Sequence, residues 1–366
     1  MQSVPAVILE CTCGSTVEER RLWQPGWLAI TLAIGMLIGW AGVAAFSQSP
    51  PSLPLQPAQA RPIAALEVSA GPCFCLAWHS RSQRVLVGAD NGTLTLLDRP
   101  TVLGTRLGTH LWASWPAHRG PVLALEWKSR PVSAGVDGRV VVWDDATWQP
   151  VQTWSFSGPI RAARESPQAP VLAIAGDEPT IALLDLQKNA PIGKLAGHAD
   201  WVVALAWSSD GQFLASASYD GLIKLWRPAS ADKPRDIPAL PPSDKDKLNF
   251  VLALAFSPDG KSLAAAGTDG MIRLYNTGDG NLIRTFAPAH GSSVTALAFL
   301  PDGQTLVSAS KDRGVRLWNV GNGQLVKALE GHESWVTDVA IASSEGVLIS
   351  SSVDRTVRLW DLRPPR

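Results

Sequence analysis

The sequence has no excess of charge of either sign: Lys plus Arg and Asp plus Glu each number 32. A chain without a basic excess has no field to steer nucleic acid, so no nucleic-acid partner is expected. Charge is also sparse, at 17% of residues, against ~25% in an average soluble domain. Tyrosine is scarce: 2 against 16 Trp. That imbalance suggests a fold that uses Trp as a recurring structural part. Cysteine is limited to two C-x-C pairs, Cys11/Cys13 and Cys73/Cys75. Four Cys in a chain of this size do not make the disulfide framework of a small secreted domain, and bridging i to i+2 would strain the bond geometry. Cys73 and Cys75 stand where other repeats carry small apolar residues and read as buried packing. Cys11 and Cys13 read as a free pair in a tail, with metal binding or acylation as the alternative. No P-loop, G-x-S-x-G, H-E-x-x-H or dinucleotide fingerprint occurs, so no cofactor is expected. Asp244-Lys245-Asp246-Lys247 reads as a solvated loop, because its acidic alternation stops too early for a calcium loop.

One long apolar run is present. Residues 27–46, WLAITLAIGMLIGWAGVAAF, carry no charge and are long enough to span the ~30 Å hydrocarbon core as a helix. The run lacks the polar stripe of a soluble helix, and Trp23 and Trp27 suit one interface. It exceeds the apolar core of a signal peptide and lies far from the N-terminus, so an uncleaved anchor is expected; a secreted protein after cleavage near Ala58-Gln59-Ala60 is the alternative. Arg20 and Arg21 precede the run and the next basic residue after it is Arg61. A cytoplasmic N-terminus with the bulk of the chain on the extracytoplasmic side follows. Gly35 and Gly39 form a G-x-x-x-G pattern that would allow a weak homodimer. The expected organisation is a tail (1–26), a transmembrane helix (27–46), a Pro-rich linker (47–62) and one domain (63–366).

That domain repeats internally. SASYDGLIKLW, SASKDRGVRLW and SSSVDRTVRLW align, and each is preceded by a His-containing segment. His198, His290 and His332 each stand 22 residues before Asp220, Asp312 and Asp354, and Trp226, Trp318 and Trp360 follow those Asp by six. A fourth copy has His118, Asp137 and Trp143, and three weaker copies end at Leu97, Leu184 and Tyr275. Each copy holds short alternating apolar runs broken by D-G, P-D-G or D-R turns, the pattern of a four-stranded antiparallel meander. One such sheet has two apolar faces and is stable only when stacked on others.

The sequence over about residues 62–366 resembles the WD40-repeat family, on the Gly197-His198 and Gly331-His332 pairs, the turn Asp residues, and Trp143-Asp144 and Trp360-Asp361. The resemblance implies an all-β, seven-bladed β-propeller. It also implies that Ile63–Val68 closes the last blade, which otherwise lacks one strand. In the family pattern His, Ser, Asp and Trp form one hydrogen-bonded chain per blade. Here the sets are His118, Ser133, Asp137, Trp143; His198, Ser216, Asp220, Trp226; His290, Ser308, Asp312, Trp318; and His332, Ser350, Asp354, Trp360. A Ser/His/Asp set is also the type list of a hydrolase, but a catalytic set is needed once, not four times. The other two His, His79 and His110, have no second ligand at metal spacing, so no metal site is expected.

The implied function is a membrane-anchored scaffold that binds protein partners and is not an enzyme. Trp201 and Trp335 each follow a repeat His by three; Tyr219 and Lys311 each precede a turn Asp. In the family these places lie on one face around the channel, and aromatic residues rimmed by charge are typical anchors. The Pro-rich stretch 227–249 reads as an insertion. The alternative is a propeller that binds a ligand or acts catalytically in its channel; it would need one non-repeated cluster of His, Asp, Glu or Arg on inner strands, and the sequence shows no such cluster.

Overall fold

A computed structural model describes residues 55–68, 71–98, 111–230, 232–238, 250–286 and 289–363. The tail, the apolar segment 27–46 with Gly35 and Gly39, residues 47–54 of the Pro-rich linker, His110 and the stretch 244–247 lie outside the described residues. Among the described residues no helix is long and apolar enough to cross a membrane.

The strands run β1 (Arg61–Glu67), then blade 1 as β2–β5 (Cys73–His79, Arg84–Ala89, Thr93–Leu97, Leu111–Pro116) and blade 2 as β6–β9 (Val122–Trp127, Pro131–Gly135, Arg139–Trp143, Pro150–Ser155). Blade 3 is β10–β13 (Ile160–Glu165, Val171–Gly176, Glu178–Asp185, Ala190–Ala196) and blade 4 is β14–β17 (Val202–Trp207, Leu214–Ser218, Leu222–Trp226, Arg235–Pro238). Blade 5 is β18–β21 (Val251–Phe256, Ser262–Gly267, Ile272–Asn276, Leu282–Phe286) and blade 6 is β22–β25 (Val294–Phe299, Thr305–Ser310, Val315–Asn319, Leu325–Leu329). Blade 7 takes β26–β28 (Val336–Ala342, Val347–Ser352, Thr356–Asp361) and closes with β1 as its fourth strand. Every pairing is antiparallel, and in all seven blades the register of the inner strand slips at the same place, from Cys73/Cys75 in blade 1 to Val336/Asp338 in blade 7.

The second strands, such as β15 (LASAS) and β23 (TLVSAS), are buried throughout. Their Ala and Ser fit because each sheet is covered on both faces by a neighbour and has little room for bulk. The apolar clusters cross from blade to blade. One joins Cys73, Leu76 and Val85 of blade 1 to Ile349, Val357 and Leu359 of blade 7, so first and last blades are packed as the others are.

β1 pairs with β28 from Arg61↔Asp361 to Glu67↔Thr356, and Arg61 bonds Asp361 at 3.2 Å. The packed chain begins before the sequence boundary at 63: Pro57–Gln59 form a 3-10 turn, Ala60 is buried, and the Gln56 N–H donates to the Leu362 carbonyl at 2.6 Å. Residues 227–249 are also not solely an insertion. β17 lies within them as the outer strand of blade 4, with Ile237 fully buried. Pro234 and Pro238 bound this four-residue strand, and proline is tolerated at a sheet edge, where no partner needs its missing N–H.

Candidate functional site: tetrads, upper face and channel

In each of the four complete repeats, the His lies just before the inner strand, the Ser on the second strand, the Asp in the following hairpin and the Trp at the end of the third strand. Trp Nε1–H donates to Ser Oγ at 2.9, 2.7, 2.8 and 3.0 Å in blades 2, 4, 6 and 7. Ser O–H donates to His Nε2 at 2.8, 2.7, 2.6 and 2.8 Å. His Nδ1–H donates to Asp at 2.9, 2.7, 3.0 and 2.9 Å. Each Asp also accepts the backbone N–H of the residue after its His, Arg119, Ala199, Gly291 or Glu333. The loop before the inner strand is thereby tied to the hairpin of its own blade.

Burial lowers the pKa of all four His, to about 4 for His290, so each imidazole is neutral near pH 7 and has one donor and one acceptor to place. At Asp354 burial opposes ionisation, but Thr356, the Glu333 N–H and His332 outweigh it and hold the carboxyl at about 2. Ser133, Ser216, Ser308 and Ser350 are each 0% exposed. A hydroxyl with no path to solvent, already bonded to an imidazole and an indole, is not placed to attack a substrate.

The end of the ring that carries these loops and hairpins is here called the upper face. A second bond repeats on it in all seven blades, from the residue after the second strand to the residue before the inner strand; examples are Tyr219 N–H to Trp201 O at 3.0 Å and Val353 N–H to Trp335 O at 2.9 Å. The paired positions are Pro72/Asp90, Pro121/Val136, Pro159/Asp177, Trp201/Tyr219, Phe250/Thr268, Ser293/Lys311 and Trp335/Val353. Large aromatics therefore occupy two sectors. In the first, Trp201 packs on Tyr219 at 5.8 Å, Tyr219 stacks on Phe250 at 4.1 Å, and the Arg161 guanidinium lies 5.2 Å from the Trp201 ring. In the second, Lys311 Nζ lies 4.6 Å from the Trp335 ring. Trp201 and Trp335 remain 39% and 50% exposed. Sequence reasoning missed Phe250, although it holds the same repeat position as Trp201, immediately before an inner strand.

The channel corrects one expectation from the sequence. The third residue of the inner strands is small in six blades (Cys75, Ala124, Ala162, Ala204, Ala253, Ala296) and Asp338 in the seventh. The fifth is Ala in five blades, but Glu126 in blade 2 and Arg164 in blade 3. A single charged group thus lies on inner strands, where none was expected. Asp338 accepts the N–H groups of Leu76 at 3.0 Å and Val339 at 2.8 Å, and Arg164 lies 3.9 Å from Glu126 while bonding the Ala163 carbonyl at 2.9 Å. Arg164 and Asp338 line a cavity of about 170 Å³ in the channel. Burial pushes Glu126 up to about 7, opposed by Arg164 and reinforced by Glu165, and burial likewise raises Asp338.

Cys73 and Cys75 are buried free thiols, and burial pushes Cys73 up to about 12. His79 is buried at the end of β2, stacked on Trp127 at 4.8 Å and bonded to Ser82. Among the described residues no group of three or more His, Cys, Asp or Glu is arranged to hold a metal ion.

Comparison with known proteins agrees with this geometry. Residues 189–227, 245–276, 280–319 and 323–361 match the family WD domain, G-beta repeat. Human coronin-7 is 44% identical over 66 residues, 18% of this chain and 7% of that protein. The SIR4-interacting protein SIF2 of Saccharomyces cerevisiae is 23% identical over 170 residues, 42% of this chain and 30% of that protein. Telomerase protein component 1 of Rattus norvegicus is 29% identical over 154 residues, 38% of this chain and 6% of that protein. The chain thus spans less than a third of each of these relatives. The matched stretches run from the outer strand of blade 3 to the third strand of blade 7, in a ring in which the same four-stranded unit recurs seven times: the chain is a seven-bladed β-propeller that carries WD40 repeats within residues 189–361.

Proposed function

We propose that the chain is a non-catalytic protein-binding scaffold, held at a membrane by residues 27–46 with its propeller on the extracytoplasmic side, and that it docks partners on its upper face through Trp201 and Trp335, with Tyr219 and Lys311 beside them. WD40 propellers typically mediate protein–protein interaction, and one relative, the SIR4-interacting protein, is named for such an interaction. The observation that carries the reading is the exposure of two tryptophans at positions that four of the other five blades fill with Pro or Ser, Phe250 of blade 5 being the exception. No blade needs them there for packing, and Trp is a leading contributor at interface hot spots.

The test is Trp201→Ala combined with Trp335→Ala in the full chain, purified from its membrane in detergent. The melting temperature stays near that of wild type, while proteins captured by wild type are lost. A variant that unfolds makes the two indoles core residues, and one that keeps every captured protein ends the docking reading. The membrane orientation is checked separately with a reporter fused after Arg366; activity of a reporter that works only in the cytoplasm contradicts it.

The Glu126–Arg164–Asp338 group favours a second reading, a small ligand in the channel. Native mass spectrometry decides it: a small molecule that co-purifies with wild type and is lost on Arg164→Met would move the function from the upper face to the channel.

A further inference from the structure

The hairpin between second and third strands makes the same turn in six blades. The N–H of its αL residue donates at 3.2 Å to the carbonyl three residues back, in Gly92, Gly138, Gly221, Gly270, Arg313 and Arg355 alike. The φ angles are also alike, 82°, 72°, 80° and 73° for the glycines and 74° and 68° for the two arginines. Glycine takes this conformation without penalty, whereas a side chain with a Cβ is strained in it. Blades 6 and 7 therefore carry a steric cost that blades 1, 2, 4 and 5 avoid, and both spend it on an exposed arginine. Strain kept in two adjacent blades at the same position points to a use for the side chain.

Those two blades also supply Trp335 and Lys311. Around this sector the exposed or half-exposed cations are Lys311, Arg313, Arg355 and, against Gly331, Arg358; the exposed carboxylates are Glu330 and Glu333. Asp312 and Asp354 are turned inward onto His290 and His332, and Arg316 is held on Asp312 at 3.1 Å. An open groove runs beside the Arg313 hairpin, between Arg316, Leu329, Glu330 and His332. The Trp201 sector has the opposite character, with Asp177, Glu178 and Asp200 beside one arginine, Arg161, which is already bonded to Asp177. The upper face is thus polarised, with its more exposed Trp in the basic half.

We infer that the partner segment docking at Trp335 is acidic, an apolar anchor on the indole flanked by carboxylates that reach Arg313, Arg355 and Lys311. This rests on the reading that the upper face docks protein, and deepens it by fixing the chemistry of one occupant. Exposed arginines on rigid hairpin tips present a forked donor to carboxylates, and a rim of charges steers encounter and selects among partners.

The test uses the full chain in detergent and three fluorescent probes: a peptide of Glu-Glu-Leu repeats, a matched peptide of Lys-Lys-Leu repeats, and a single-stranded oligothymidylate. The acidic peptide binds saturably, more weakly as salt rises, and loses its binding on Trp335→Ala. R313G/R355G binds it about tenfold more weakly, the scale of two screened surface charge contacts, and melts at the same or a higher temperature because the αL strain is relieved. Failure of the acidic peptide to bind overturns the inference, as does preference for the oligonucleotide or the Lys peptide, or a double-glycine variant that binds as wild type. A Lys peptide whose binding depends on Trp335 would sink the acidic partner and leave the docking reading standing; peptide binding indifferent to both Trp201 and Trp335 would sink both.

Discussion

Ser216 accepts the indole N–H of Trp226 and donates to His198, so removing its hydroxyl leaves two buried polar groups without partners. Ser216→Ala is expected to cost roughly 1–3 kcal/mol, read as a lower denaturant midpoint at unchanged slope. The titrating residues make a second prediction. The tetrad His, depressed in the fold, contribute stability that is present above their unfolded value and is lost as pH falls, through about 4 for His290. Glu126 has the opposite sign: raised to about 7, it contributes stability that is full below its ordinary value of 4.5 and is lost as pH rises through about 7. Glu126→Gln should therefore be more stable than wild type at pH 8, by an amount up to about 3 kcal/mol, and should lose the advantage at pH 4.5. Denaturation at the two pH values checks this; an equal difference at both would show that Glu126 is not titrating as described. The tetrads were legible because their spacing recurs four times. Glu126, Arg164 and Asp338 were not, since on separate strands each looks like any polar residue in an alternating run, and only closure of the ring turns all three toward one channel.

Among the elements, β1 stands out because it is the first strand of the domain yet belongs to its last blade. Its pairing with β28, the Arg61–Asp361 bond and the backbone bond from Val68 N–H to Arg355 O at 2.8 Å fix the first blade against the last. Deleting Arg61–Glu67 exposes the edge of β28 and uncovers Val357 and Leu359, so cooperative melting should be lost, as followed by far-ultraviolet circular dichroism. A deletion variant that melts as wild type would show that β1 only decorates the ring. This strand was legible by elimination: the last repeat lacked one strand and one strand was left over. β17 escaped notice for a physical reason. Four residues with a single buried side chain, Ile237, ending in Pro238, carry no alternation to read. Phe250 was hidden differently, in a weak repeat without the His that marks this position in the four complete repeats.

At the scale of the whole propeller, closure changes how stability is distributed. An open array of repeats frays from its ends, because terminal units have one neighbour and the others have two. In this ring each blade has two neighbours, and blade 1 packs on blade 7 through Val68, Cys73, Leu76, Ile349 and Leu359. The most direct test is native-state hydrogen exchange of the full chain, comparing second-strand amides in all seven blades. The closed ring predicts that those of β3 in blade 1 and β27 in blade 7 open with the same free energy as those of β15 in blade 4, together with the β1 amides that bond β28. A gradient, with blades 1 and 7 and β1 exchanging much faster than blade 4, would contradict closure.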